Sequence, residues 1–253
     1  MELLHILSEN IRQKVSTVLA QRSEYQNDKL KNLLDTTAQE VIIKTLKKNE
    51  GGFQLISEEG NEIIGNGNYI ITADPVDGTT NLSRGLHPSV LSISVAKEQN
   101  QSDVIAGIVS NFYTGETFYA EKEKGATLDG FSIKPSNYIP YNHGLIGIDL
   151  SKYPKLEKTK KLITESRHLR QEGSTAASLC NVAAGILDAH IDLRGIARAT
   201  DVSAGLFIIK EAGGFYKING EYFGELSLTR ETKCTIITAN TQRLLEEITL
   251  LIE

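Results

Sequence analysis

The residues best placed to do chemistry sit in Ala73-Asp74-Pro75-Val76-Asp77-Gly78-Thr79-Thr80-Asn81, directly after the apolar run Tyr69 to Ala73. Two carboxylates three positions apart, rigidified by a proline, suit a strand-end loop that offers oxygen ligands to a hard divalent cation. The Val76 carbonyl could add one more oxygen. Gly78 lets the chain turn tightly, and a helix starting here would aim the amides of Gly78 and Thr79 at an anion. The competing reading is an Asp-rich turn, since Asp, Pro and Gly form turns in any protein. Two further acidic sites tip the balance. Glu58 and Glu59 end the run Leu55-Ile56-Ser57, and Asp201 opens Asp201-Val202-Ser203-Ala204-Gly205. Taken singly they would be a solvated loop and a helix N-cap. No Ser-His-Asp or Cys-His set is evident, and the five histidines are scattered without ligand spacing.

The elements that must position these groups can be read from periodicity. A first helix holds Leu3, Leu4, Leu7, Ile11 and Val15 at helical spacing. A polar stretch from Gln21 to Lys31 reads as a mobile loop, and a second helix from Leu33 to Leu46 ends near Gly51-Gly52. Strands are predicted at Phe53 to Ser57, Tyr69 to Ala73, Val90 to Ala96, Val104 to Ser110 and Thr117 to Ala120. The second half alternates a strand at Leu145 to Ile148, helices at Lys155 to Glu165 and Ser174 to Gly185, a strand at Ala189 to Leu193, a helix at Val202 to Gly213, a strand at Thr235 to Ala239 and a helix from Gln242. The expectation is one compact α/β unit of two halves: 1–140, α+β with the metal loops, and 141–253, α/β with the substrate elements. They meet at a Pro- and Asn-containing bend, Tyr138 to Gly144.

The chain has 253 residues, 40% of them hydrophobic and 23% charged, which suits one large globular domain or two joined halves. A net charge of −5 leaves no basic excess for a nucleic-acid backbone. The amino-terminal segment mixes Glu2, Glu9 and Arg12 into its apolar residues, unlike a signal peptide, and no stretch reads as a membrane span. Cys180 and Cys234 lie far apart in apolar surroundings, as free buried thiols do in a reducing cytoplasm.

The ordered set Ser57-Glu58-Glu59-Gly60, Asp74-Pro75-Val76-Asp77-Gly78-Thr79-Thr80-Asn81, Thr200-Asp201-Val202-Ser203-Ala204-Gly205 and Glu211-Ala212-Gly213-Gly214 resembles the inositol monophosphatase family of lithium-sensitive, magnesium-dependent phosphatases, over nearly the whole chain. The resemblance implies a layered αβαβα fold with the metal site between the halves, and usually a homodimer. It implies Glu58, Asp74, Asp77 and Asp201 as side-chain ligands and Val76 as a carbonyl ligand for about two to three Mg2+, with Mn2+ a substitute. One ion would lower the pKa of a water that attacks phosphorus in line, and another would stabilise the leaving alkoxide. Thr79, helped by Glu58 or Glu59, would orient that water, and the Gly78 and Thr79 amides would hold phosphate oxygens. Asp35 fits the outer carboxylate of the family's mobile catalytic loop, although Asn32 and Lys29 stand where Thr and Asp are common in animal enzymes. Asp35 at a helix N-terminus, complementing the dipole, is the competing reading.

Substrate choice would fall to Gly173, Ser174 and the stretch from Asp188 to Arg198. Asp192 aligns with the carboxylate that grips inositol hydroxyls in the family. Arg194 or Arg198, with Arg170, could bind the second phosphate of a sugar bisphosphate bidentately, or be surface or salt-bridge arginines. The Asp-Leu-Arg-Gly stretch resembles the archaeal and bacterial enzymes acting on both inositol monophosphate and fructose 1,6-bisphosphate. The alternatives are a 3'-phosphoadenosine 5'-phosphate phosphatase and a non-catalytic binding protein on the same fold.

Overall fold

The computed structural model describes residues 2–49 and 51–252. In chain order it runs through helices α1 (Glu2–Ala20) and α2 (Asn27–Lys47), strands β1 (Phe53–Ser57), β2 (Gly60–Ile64) and β3 (Tyr69–Asp77), and helix α3 (Thr79–Arg84). Strands β4 (Val90–Ala96), β5 (Val104–Asn111), β6 (Thr117–Glu121), β7 (Ala126–Leu128), β8 (Phe131–Ser132) and β9 (Leu145–Asp149) follow. Then come α4 (Leu156–Glu165), β10 (His168–Arg170), α5 (Thr175–Ala183), β11 (Ala189–Arg198) and α6 (Ala199–Ala212). The chain closes with β12 (Phe215–Ile218), β13 (Glu221–Tyr222), β14 (Lys233–Ala239) and α7 (Gln242–Ile252).

Strands β1 to β8 form one sheet in the order β2-β1-β3-β4-β5-β6-β7-β8, antiparallel except where β1 pairs parallel to β3. A second sheet, β10-β9-β11-β14-β12-β13, is mixed. Strand alternation gives each sheet two faces. On one face of the larger sheet Leu91, Ile93 and Ile108 pack against Leu7 and Ile11 of α1 and Leu34 and Ile42 of α2. On the other face Val109, Phe118 and Ala120 meet Leu179 of α5 and Leu206 of α6, and these helices also cover Ile236 of the smaller sheet. The far face of that sheet buries Ile148, Ile191 and Ile237 against Leu162 of α4 and Leu245 of α7. The result is the expected αβαβα layering.

Two expectations need correcting. The stretch from Gln21 to Lys31 is not all loop. Helix α2 begins at Asn27 because Leu30, fully buried, extends the stripe Leu34, Ala38, Ile42 and Leu46 by one turn; Asp28 and Lys29 form the wet side of that turn. Asp35 is therefore a mid-helix residue, too far from the first turn to complement the dipole. Asp201 is not an N-cap either. Helix α6 starts two residues earlier, Arg198 is the N-cap, and the Asp201 carboxylate accepts the Arg198 N–H at 3.0 Å. The short strands β2, β7, β8, β10, β12 and β13 lack a run of apolar alternation long enough to be seen from sequence.

Candidate active site

Strand β3 carries its acidic loop on its own end. Pairing with β4 runs Asp74 to Ser92 and then Asp77 to Val90, so three steps on β3 oppose two on β4. Pro75, which lacks an N–H, occupies this bulge, where the ladder is interrupted. The extra residue also resets the alternation. Without it, Asp74 and Asp77 would point to opposite faces; with it, both face α5 and α6. The Asp74 carboxylate accepts the Val76 N–H at 2.9 Å, which locks the turn. Gly78 follows at φ +84°, and a Cβ there would lie 3.1 Å from the Pro88 carbonyl oxygen and 3.3 Å from that of Gly173, so both backbone angle and crowding require glycine.

Three separate elements converge here. Oxygens of Glu58, in the β1–β2 turn, Asp74 and Asp201 lie within 4.8 Å of one another. Asp74 is buried and its pKa is raised well above the usual value, first by loss of water and then by Glu58, Asp77 and Asp201. Asp201 is raised by burial, and Asp77 is pushed to about 7 by burial and Asp201. So many carboxylates facing one another need positive charge between them. In the protein alone Arg198 supplies it: Nη1 lies 2.5 Å from Glu58 Oε1, and Nε lies 3.2 Å from Asp201 Oδ1. Burial works against the Arg198 charge, yet Asp201 and Glu58 hold its pKa above the ordinary arginine value. The donor set is all oxygen, which suits a hard cation. Glu59 is exposed and lies outside this trio.

Asp77 faces the other half. Its Oδ2 accepts from the Ala176 N–H at 2.7 Å and the Ser174 hydroxyl at 2.8 Å, at the N-terminus of α5. Ser174 is the N-cap of that helix. Asn81, the last residue of the motif, donates through Nδ2 to the carbonyls of Pro88 and Glu172, both at 2.8 Å, and so ties α3 to the segment entering α5. The Thr79 hydroxyl lies 2.9 Å from the Val76 carbonyl and 3.1 Å from Asp35 Oδ1. Burial lifts Asp35 to about 7, opposed by the Thr79 hydrogen bond. Mid-helix Asp35 thus joins the motif.

A cleft of about 390 Å³ opens on this cluster, lined by Asp77, Gly173, Arg194, Arg198 and Asp201 together with Asp149 and Lys233. Arg194 is already engaged: Nε and Nη2 bind Asp192 at 2.8 and 2.7 Å, and Nη2 lies 3.4 Å from Asp149. Asp192 is wholly buried beneath it. Arg170 is exposed on β10, its Nη1 donating to the Leu169 carbonyl, and does not line the cleft. Sequence reasoning missed Asp149 and Lys233, and gave Asn81, though inside the motif, no role of its own. Asp149 ends an apolar strand just as Glu58 and Asp77 do, and that shared position was the available signal. Lys233 had none.

The layered fold and the buried carboxylates beside an anion-competent helix start define a metal-dependent phosphoric monoester hydrolase. The family model "Inositol monophosphatase family" matches residues 1–252, and the chain belongs to that family. A Methanocaldococcus jannaschii protein named fructose-1,6-bisphosphatase/inositol-1-monophosphatase is 31% identical over 219 residues, 85% of this chain and 82% of that one. A Methanococcus maripaludis bifunctional NADP phosphatase/NAD kinase is 31% identical over 82% of this chain, which spans 40% of that longer protein. A solved Pyrococcus horikoshii structure, described as similar to inositol-1 monophosphatase, superposes with a TM-score of 0.76 at 30% identity, covering 87% of this chain and 84% of that one.

Proposed function

We propose that the protein hydrolyses phosphate monoesters of small polyols and sugars, with inositol 1-phosphate and fructose 1,6-bisphosphate as substrates. The observation that carries this is the meeting of Glu58, Asp74 and Asp201 within 4.8 Å at a cleft. Glu58, Asp74, Asp77, Asp201 and the Val76 carbonyl would hold about two to three Mg2+, replaceable by Mn2+, and the ions supply Lewis acidity toward the phosphate. Helix α3 starts at Thr79, and the first amides of a helix lack intrahelical acceptors. The Gly78 and Thr79 amides meet phosphate oxygens with no reorganisation. Thr79 and Asp35 form a water-orienting pair: the Thr79 hydroxyl lies within hydrogen-bonding distance of both the Asp35 carboxylate and the Val76 carbonyl, and the carboxylate is the acceptor for a proton from water.

Glu58 and Glu59 flank this pair at the β1–β2 turn. Ser174 and Gly173 position Asp77 and the cleft wall. Asp192 is buried out of reach of substrate and serves to anchor Arg194, which lines the cleft in its place, and Arg198 bridges Glu58 and Asp201 until cations arrive. Arg170, exposed on β10 and outside the cleft, takes no part in this reading. The halves 1–140 and 141–253 act as one unit, since α5 and α6 of the second bury the sheet of the first. A homodimer in the cytoplasm completes the reading. The free buried thiols of Cys180 and Cys234 support a reducing compartment, and no described helix is long and apolar enough to cross a membrane.

The decisive experiment is phosphate release with magnesium present or chelated, from inositol 1-phosphate, fructose 1,6-bisphosphate and 3'-phosphoadenosine 5'-phosphate. Magnesium-dependent release from the first two is expected. Magnesium binding without release from any of the three would leave a binding protein.

A further inference from the structure

Strands β9 and β11 run parallel with Asp149 opposite Asp192, so the two carboxylates are register partners on strands about 4.8 Å apart. Their surroundings differ. The Asp192 side chain is fully buried and Arg194 takes both its oxygens: Oδ1 accepts the backbone N–H at 3.0 Å and Nε at 2.8 Å, and Oδ2 accepts Nη2 at 2.7 Å. Asp149 lines the cleft, with 6% of its side chain exposed. Its Oδ2 accepts the Thr175 hydroxyl at 3.3 Å and Arg194 Nη2 at 3.4 Å, whereas Oδ1 has no partner among the described residues. A carboxylate oxygen set so deep and left unbonded is an acceptor that calls for a donor from the cleft.

The neighbouring residues do not supply that donor. His190 pairs in register with Gly147, and a Cβ on Gly147 would lie 2.8 Å from its Nδ1, so the ring fills the space the glycine leaves. Its Nε2 stands 3.6 Å from Asp149 Oδ2, and neither ring nitrogen has a hydrogen-bond partner. Burial lowers the His190 pKa against the pull of Asp149 and Asp192, so the ring is neutral and cancels no carboxylate charge. Two carboxylates therefore share the one guanidinium of Arg194, and the spare negative charge borders the cleft. Arg194 Nη1 also donates to no protein group among the described residues. The cleft wall thus presents an open acceptor and an open donor. A hydroxyl donates and accepts, so two hydroxyls on adjacent carbons satisfy both; an ionised phosphate, which only accepts, leaves Asp149 unsatisfied.

We propose that Asp149 is the residue that reads substrate hydroxyls in this protein: its Oδ1 accepts a hydrogen bond from one hydroxyl of the polyol or sugar, and Arg194 Nη1 donates to the adjacent hydroxyl. The carboxylate that the resemblance placed on β11, Asp192, is spent on Arg194, and the gripping role passes one strand over to β9. The assignment rests on the phosphomonoesterase reading and narrows it to monoesters that carry adjacent hydroxyls.

The test compares the full chain with Asp149→Asn, in magnesium, on inositol 1-phosphate and on cyclohexyl phosphate, which has a six-membered carbon ring and a phosphate monoester but no hydroxyls. Asparagine keeps the size of the side chain and an oxygen for Thr175 and Arg194, so the variant should melt close to the parent; should it not, Asp149→Ser goes through the same comparison. The ratio of kcat/KM for inositol 1-phosphate to that for cyclohexyl phosphate should fall about tenfold, chiefly through KM for inositol 1-phosphate, because a neutral acceptor replaces a charged one. Where cyclohexyl phosphate turns over too slowly to follow, its inhibition constant takes the place of its KM. A ratio unchanged within about twofold, including a parallel loss on both compounds, would overturn the proposal and make Asp149 a structural partner of Arg194. If the parent hydrolyses neither compound, the phosphatase reading falls, and calorimetric titration of both compounds into parent and variant still decides the role of Asp149: a selective loss of inositol 1-phosphate affinity supports it, and equal changes refute it.

Discussion

Asp77 serves two masters. It belongs to the acidic cluster, and it also accepts the Ala176 N–H and the Ser174 hydroxyl from the opposite half. Asp77→Asn keeps an oxygen for α5 but removes the charge, so the protein should stay folded while kcat/KM falls by roughly 10²–10³. Magnesium titration followed by phosphate release checks this, and unchanged activity would sink the site assignment. Arg194 poses the reverse problem. Arg194→Ala leaves Asp192 buried and unpaired, and the expected cost is roughly 3–5 kcal/mol of stability, read by urea unfolding. The same variant should raise KM for fructose 1,6-bisphosphate more than for inositol 1-phosphate. Equal changes would reduce Arg194 to a structural partner of Asp192.

Among elements, α5 and α6 do the most to join the halves. They approach closely because Gly205 of α6 has no side chain: a Cβ there would lie 2.7 Å from the Leu179 Cβ of α5. Gly205→Ala should therefore destabilise by about 1–3 kcal/mol through overpacking. Since the α5 N-terminus holds Asp77, activity should drop as well, and thermal melting run beside turnover separates the two effects. The bulge in β3 is the other element-level device. Period-two alternation would send Asp74 and Asp77 apart, and one extra residue brings them together.

Over the whole molecule the carboxylate cluster sets a link between pH, metal and stability. Asp35 and Asp77 have an ordinary pKa of 3.8 and are raised to about 7 in the folded chain. Between those values the folded state binds more protons than the unfolded state, so stability without metal falls as pH rises from about 4 to about 7. Cations that replace those protons should restore it. The Tm of chelated protein should thus be lower at about pH 8 than at about pH 5, and magnesium should raise Tm more at the higher pH. A magnesium shift of the same size at both values would contradict this.

The motif from Asp74 to Asn81, the two acidic strand and helix ends at Glu58 and Asp201, and the period of each long element were legible in the sequence. They depend on local rules: proline and glycine geometry, carboxylate chemistry, and alternation along a strand or helix. The start of α2 was not, because only burial of Leu30 shows that Asp28 and Lys29 belong to a helix. Asp35 beside Thr79, Arg198 between Glu58 and Asp201, and Arg194 clamped on Asp192 were decided by the tertiary structure. These pairs join residues whose distance depends on how two sheets and their helices stack, and on a three-residue excess in β11 over β14 between Asp192 and Ala197 that no local preference encodes. Which carboxylates were present was written in the chain; which cation each would face was settled by packing.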